Sequence, residues 1–213
     1  MTGLLRKNVA VIVAHPDDET LWAGGTILSH SLWRWFIVCL CRADDKDRSP
    51  KFFKALKILK SEGIMGTLDD GPEQKPLDVN EVEQAILNLL PANHFDLIIT
   101  HNPDGEYTRH LRHEETGRAV IKLWHEGKIL ANELWTFAYH DENKKHRPLA
   151  IENTNIYHIL PEKIWLKKYG IITKTYGFGK NSFEAETTPK AESFRKITDL
   201  SETGKSLNQI AIL

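Results

Sequence analysis

The chain has 213 residues, 41% hydrophobic and 27% charged, the balance of one globular domain with a core of its own. A formal net charge of −1, with Lys and Arg spread along the chain, removes the electrostatic case for a nucleic-acid or acidic-membrane partner. No stretch approaches the ~20 apolar residues of a transmembrane helix, and the N-terminal segment lacks a signal-peptide core, so the expected location is cytoplasmic.

Val9 to Ala14 is an unbroken apolar run, as expected of a parallel strand buried on both faces. Glu19 to Leu32 follows as a helix, although Gly24 and Gly25 weaken its propensity. Trp35 to Cys41 is a second strand; Cys39 and Cys41, two apart, are expected on one face of it as buried, reduced thiols. A helix is predicted over Pro50 to Glu62, with Ala55, Ile58 and Leu59 on one stripe, and another over Val79 to Leu90, ended by Pro91. Phe95 to Thr100 is a third buried strand, and Glu114 to His125 a further helix. Beyond it, Glu133 to Tyr139 and Asn155 to Leu160 read as strands, with a helix over Pro161 to Ile171. The order implies a single α/β domain over 1–213: a Rossmann-like, mostly parallel sheet with helices on both faces. Past Thr173 the signal fades, and 173–213, polar from Thr187 to Gly204, is expected to be a loosely held tail.

In such sheets ligands bind outside the carboxyl ends of the strands. Two predicted strands end in dense polar clusters there. The first is His15-Pro16-Asp17-Asp18-Glu19; the second runs His101-Asn102-Pro103-Asp104-Gly105-Glu106-Tyr107 and leads to His110 and His113. Acidic residues suit a helix N-terminus, which alone would explain the first cluster. Three successive carboxylates beside a histidine exceed that need, however, and imidazole with carboxylate is a ligand set zinc accepts. His15 and Asp18 can reach one ion across the turn, leaving Asp17 free to polarise a water. A histidine of the second cluster would complete two His and one carboxylate with an open position, the pattern of a catalytic site.

These residues carry a resemblance. Ala14-His15-Pro16-Asp17-Asp18-Glu19, with Thr100 to Tyr107 and the pair His110-Leu111-Arg112-His113, is similar to the zinc-dependent deacetylases of the PIG-L / LmbE-like family. The resemblance covers residues 8–125 by motif. It implies His15, Asp18 and His113 as metal ligands, Asp17 as general base, and His110 as the histidine that stabilises the oxyanion or assists the leaving amine. Arg48 lies near a substrate-binding arginine of the family, and Tyr107 resembles a tyrosine that approaches the substrate carbonyl. Zinc, or iron in its place, is the implied cofactor, and an N-acetylated amino sugar or related amide the implied small-molecule substrate. Two departures stand out. Leu111 and Arg112 replace the family's usual Pro-Asp, removing a carboxylate that orients the catalytic histidine, and Tyr107 sits three residues before His110 instead of two.

Two other readings remain. A non-catalytic metal- or sugar-binding protein on the same scaffold is favoured by Leu111-Arg112 and opposed by Asp17, which a plain metal site does not need. A hydrolase of another amide, such as a thiol conjugate, fits the same residues. Trp22, one helical turn beyond Asp18, is placed to border a pocket, whereas His140 and the basic cluster Lys144-Lys145-His146-Arg147 read as solvated loop. Apolar residues near Ile164 and Trp165, with Ile210 to Leu213, suggest a homo-oligomer interface.

Overall fold

Unbroken apolar runs become the central strands of the structure, a computed structural model that describes residues 6–107 and 109–198. Strands β1 (Asn8–Val13), β2 (Arg34–Cys41), β3 (Glu62–Leu68), β4 (His94–Thr100) and β5 (Leu130–Phe137) are parallel, paired 3-2-1-4-5. Two further strands, β8 (Ile156–Ile159) and β9 (Ala191–Ile197), extend the sheet to the order 3-2-1-4-5-9-8 through antiparallel pairing. A separate two-stranded piece joins β6 (Tyr139–His140) to β7 (Leu149–Ala150). The sheet is therefore mostly parallel and the fold α/β, as expected. Strand order reverses between β1 and β4, the crevice where such folds bind ligands.

Successive strand residues point to opposite faces, which splits the core in two. Val9, Val11, Val13, Ile37 and Ile99 pack under α1 (Asp18–Ser29) and α2 (Arg48–Leu59), whereas Ala10, Ile12, Val38 and Ile98 pack under α3 (Val79–Leu89) and α4 (Leu111–His125). The build of α3 shows which effect wins locally. Its cap, Asp78 accepting from Asn80 N at 2.7 Å, contributes ~1 kcal/mol, while burial of Val82 and Ile86 contributes ~1.5–3 kcal/mol each. Packing decides the helix. The last helices are α5 (Glu162–Gly170), continued as a π-helical stretch over Ile171–Tyr176, and the short α6 (Phe183–Thr187).

Three expectations need correction. Strand β3 was not foreseen: it is a half-exposed edge strand carrying Gly63 and Gly66, so it lacks the continuous apolar run of a central strand, and α2 ends earlier, at Leu59. Cys39 and Cys41 are buried and free, yet they pack in different cores, at the point where the β2–β3 register shifts and β3 carries one extra residue. The segment from Thr187 is no loose tail as far as Thr198. Strand β9 lies inside the sheet, and its Glu192, Ser193 and Phe194 have no exposed surface. Its polarity hid it, because Glu192 is buried against charge. The remainder, 199–213, lies outside the described residues, as does the expected apolar segment Ile210 to Leu213.

Glu192 ties three elements together. One oxygen accepts from Gly25 N and from Lys168 Nζ, both at 2.7 Å; the other accepts from Thr26 N and Thr26 Oγ1, also at 2.7 Å. Gly25 must lack a side chain here, since a Cβ would fall inside Leu160 and lie 2.9 Å from that carboxylate. Lys168→Ala leaves the carboxylate buried without its cation and should cost about 3 kcal/mol in urea unfolding, near the lower end for a broken buried pair because three other donors remain. A loss below about 1 kcal/mol would show that the pair does not fasten β9 to α1.

Candidate active site

Both motif clusters start where β1 and β4 end side by side. His15, Asp17 and Asp18 come from the turn between β1 and α1; His101 follows β4; His110 caps α4, and His113 sits in its first turn. Gly117 lets α4 lie close against the end of β4, since a Cβ there would meet His101 O at 2.5 Å. The three foreseen ligands converge. Asp18 Oδ2 is 3.2 Å from His15 Nδ1 and 3.3 Å from His113 Nε2, and the two nitrogens are 3.1 Å apart.

The outward nitrogens of both rings meet carboxylates. His15 Nε2 is 3.1 Å from Asp70 Oδ1, and His113 Nδ1 is 2.7 Å from Glu106 Oε2. Each acid takes a ring N–H, which fixes the neutral tautomer with its lone pair turned inward. Two nitrogen lone pairs and a carboxylate oxygen then face one another within 3.3 Å, an arrangement that needs a cation at its centre. Burial opposes charge on His15 and His113, yet their carboxylate neighbours raise both pKa values, and Asp18, although buried, is held far below the usual carboxylate range by His113 and His101. The cluster draws positive charge, and a metal ion would compete with protons for the two inward nitrogens. The residues present fit a zinc-like divalent ion.

His101 stacks on His113 with ring centroids 4.0 Å apart and is wholly buried. Its Nδ1 lies 3.0 Å from Glu106, and its Nε2 accepts from Ala14 N at 3.0 Å. Burial disfavours a proton there, but Glu106 and Asp18 lift the pKa to about 9. The Ala14 N–H pointing at Nε2 weighs against that second proton, so we read the ring as neutral, donating to Glu106. Burial would raise Glu106, yet His101 and His113 hold its pKa down to about 2.

Asp17 occupies a backbone conformation with φ 127°, strained for a residue with a side chain, and its N–H donates to buried Glu19 Oε2 at 3.0 Å. Burial and the adjacent Asp18 push its pKa well up; Arg48, with Nη1 3.9 Å from Oδ2, partly offsets them. Arg48 also lies 4.4 Å over the Phe178 ring, which fixes its direction. His110 stacks on His113 at 4.5 Å, and its buried Nδ1 has no hydrogen-bond partner among the described residues. Burial, and then the charges of His113 and His15, push its pKa down to about 3. Tyr107 is wedged among His113, Phe183 and Trp22, with ring centroids 5.5, 5.0 and 6.1 Å away. All seven foreseen residues line one cavity of about 170 Å³, together with Pro16, Leu21, Arg42, Asp70, Phe183 and Glu184. Trp22 instead stands behind the wall, donating from Nε1 to Asp18 Oδ1 at 3.0 Å.

Residue reading missed Asp70, Arg42 and the role of Glu106. Asp70 sits in an Asp-Asp-Gly-Pro stretch that looks like an ordinary turn; Arg42 follows β2, a strand end whose position at the same sheet edge was the available signal. Arg112, which stands where the family has an acid, does not enter the cavity. It is 2% exposed and donates to Asp69 O and to Lys75 O, pinning the segment that carries Asp70 against His15. Arg112→Ala should therefore loosen residues 69–76, seen as faster amide exchange there, and cost about 1–3 kcal/mol for the carbonyls left without a donor. Unchanged exchange in that segment would refute this role.

Comparison with known proteins follows the geometry. A family model for GlcNAc-PI de-N-acetylase, PIG-L, matches residues 10–124. An uncharacterized protein of Acanthamoeba polyphaga mimivirus is 23% identical over 180 residues, which is 76% of this chain and 75% of its own length. The N,N'-diacetylchitobiose deacetylase of Pyrococcus horikoshii has a similar structure, with a TM-score of 0.67 at 16% identity over 90% of this chain and 84% of that one. So does GalB, the 4-carboxy-2-hydroxymuconate hydratase of Pseudomonas putida KT2440, with a TM-score of 0.62 at 15% identity over 90% and 97%. At those identities the structures establish a shared fold. The family match takes in more than half of the chain, including His15, Asp17, Asp18, His110 and His113, and this protein belongs to the PIG-L family.

Proposed function

We propose that this protein is a metal-dependent hydrolase that removes the N-acetyl group of an amino-sugar-like small molecule, working in a reducing, cytoplasmic setting. The observation that carries the reading is the convergence of His15 Nδ1, His113 Nε2 and Asp18 Oδ2 within 3.3 Å, beside a buried carboxylate, Asp17, that is not one of the three. Family membership supports de-N-acetylation, and a deacetylase of similar structure carries a chitobiose-derived substrate in its name. The fold alone does not choose the reaction, since a hydratase shares it.

His15, Asp18 and His113 would hold zinc, or iron in its place. Such an ion supplies Lewis acidity, polarising an amide carbonyl and lowering the pKa of water from ~16 towards ~7. Asp17 is the base: its raised pKa suits it to take a proton from the attacking water and later return it to the leaving nitrogen. His110 lines the same cavity, placed to donate an N–H hydrogen bond to the developing oxyanion or to assist the leaving amine, and burial, which lowers its pKa, favours the first part. Arg48 and Tyr107 line the space where the acyl group and the sugar lie. Leu111 and Arg112 leave the base and the three donors in place, but His110 Nδ1 has no carboxylate to orient it among the described residues, and this is the feature that favours the binding-protein reading.

Elemental analysis of untagged protein should find about one zinc or iron tightly held per chain, lost in His113→Ala. Asp17→Asn should keep the metal while acetate release from N-acetyl sugars falls on the order of 10²–10⁴-fold. A wild-type protein with full metal and no turnover across such a panel would favour the non-catalytic reading instead. Glu106→Gln removes the carboxylate behind His113 and should weaken metal affinity about 10–100-fold, measured by chelator competition.

A further inference from the structure

Three of the ten histidines line the cavity described above, and His101 is buried behind them. Two others meet elsewhere. His140 ends β6, and His146 returns to it across the loop to β7; their ring centroids are 5.3 Å apart and nearly perpendicular, at 84°. The path between them is unusual. Glu142, Asn143 and Lys144 all have positive φ, 48°, 59° and 68°, and Asp141 O accepts from Lys145 N and His146 N at 2.9 and 3.3 Å. Three consecutive left-handed residues with side chains are costly, and here they fold the loop back so that His146 reaches His140.

The result is a compact donor set. One atom each from His140, Glu142 and His146 lies within 4.8 Å of the other two. His146 Nδ1 is 2.7 Å from Arg147 O and must donate to it, which fixes the tautomer and leaves Nε2 as a free lone pair. A ring whose second nitrogen donates to a backbone carbonyl is what metal-binding imidazoles present. Two of the three, His140 and Glu142, line a second cavity of about 580 Å³ together with Glu106, Tyr107 and Arg109. Lys145 Nζ approaches Glu142 at 3.5 Å, but both side chains are exposed, and such a pair holds too weakly to keep an ion out.

We propose that His140, Glu142 and His146 form a second divalent-metal site, clipping the loop between β6 and β7 shut. Two imidazoles and one carboxylate select zinc, nickel or copper(II) over magnesium or calcium, which prefer all-oxygen sets. Solvent completes the coordination, and with Glu142 exposed where Asp18 and His113 are buried, this ion is held less tightly than one bound by His15, Asp18 and His113.

The test is equilibrium dialysis of untagged protein against zinc, followed by elemental analysis, on wild type, His113→Ala and His140→Ala/His146→Ala. Wild type should take up one more zinc than the double variant, and His113→Ala should still protect residues 141–148 from amide exchange when zinc is added. That protection should vanish in the double variant. Glu142→Gln, which keeps both rings, should weaken the second zinc about tenfold or more and guards against misfolding of the double variant. A double variant that binds as much zinc as wild type, or zinc that leaves exchange in 141–148 unchanged in wild type, would overturn the proposal. Because loss of zinc on His113→Ala is read separately, the fate of the deeper site does not affect this outcome.

Discussion

The site depends on β1 and β4 being neighbours at the point where strand order reverses. Across that seam the Ala14 N–H, at the end of β1, donates to His101 Nε2, just past the end of β4. This bond does more than join two loops. It sets the His101 tautomer, which sends Nδ1–H to Glu106, and the same Glu106 oxygen receives His113 Nδ1. One buried carboxylate thus aligns two histidines from different elements, and the lone pair of His113 is left pointing at Asp18. The free energy for burying Glu106 comes from these two partners and from Asn102 N, which donates to its other oxygen at 2.9 Å.

Around that centre the fold concentrates acidic groups that are largely buried. Asp17, Asp18, Glu19 and Glu106 are all buried, and each has a specific partner: Arg48, the histidines, Tyr176 and Thr20, and the paired rings respectively. Glu19, which burial lifts to a pKa of about 7, accepts from the Asp17 N–H and so supports the strained turn that presents Asp17 to the cavity. Strain at that turn and like charges in sequence are both destabilising. The apolar layers on the two sides of the sheet, and the Lys168–Glu192 pair behind α1, supply the rigidity that lets them persist.

Membership of the PIG-L family and the donor geometry bear on different questions. The family match concerns residues 10–124, the half that holds the proposed ligands and the proposed base. The later elements, β8, β9, α5 and α6, close the far side of the sheet and bring Phe183 and Glu184 to the cavity. The cavity wall is therefore shared between the half that carries the proposed ligands and the half that brings Phe183 and Glu184. A fold that hosts a deacetylase in one protein and a hydratase in another is consistent with that division.

Local chemistry written in a few consecutive residues was legible directly. Apolar runs named β1, β2 and β4, and the polar clusters after β1 and β4 named His15, Asp17, Asp18, His110 and His113, because a strand end and a helix start are local events. What the sequence could not show was anything held by partners far along the chain. Asp70 reaches His15 from a segment that Arg112 pins, and β9 enters the sheet with its Glu192 buried against Lys168 and α1. The two cysteines part company at the point where the β2–β3 register shifts. In each case a polar or irregular stretch was given its place by a long-range partner, and period and composition carry no record of that partner. Sequence by itself determined which strands form the centre and which residues gather at their ends; tertiary packing decided which way each ring faces, since a tautomer is set by the group on its other side.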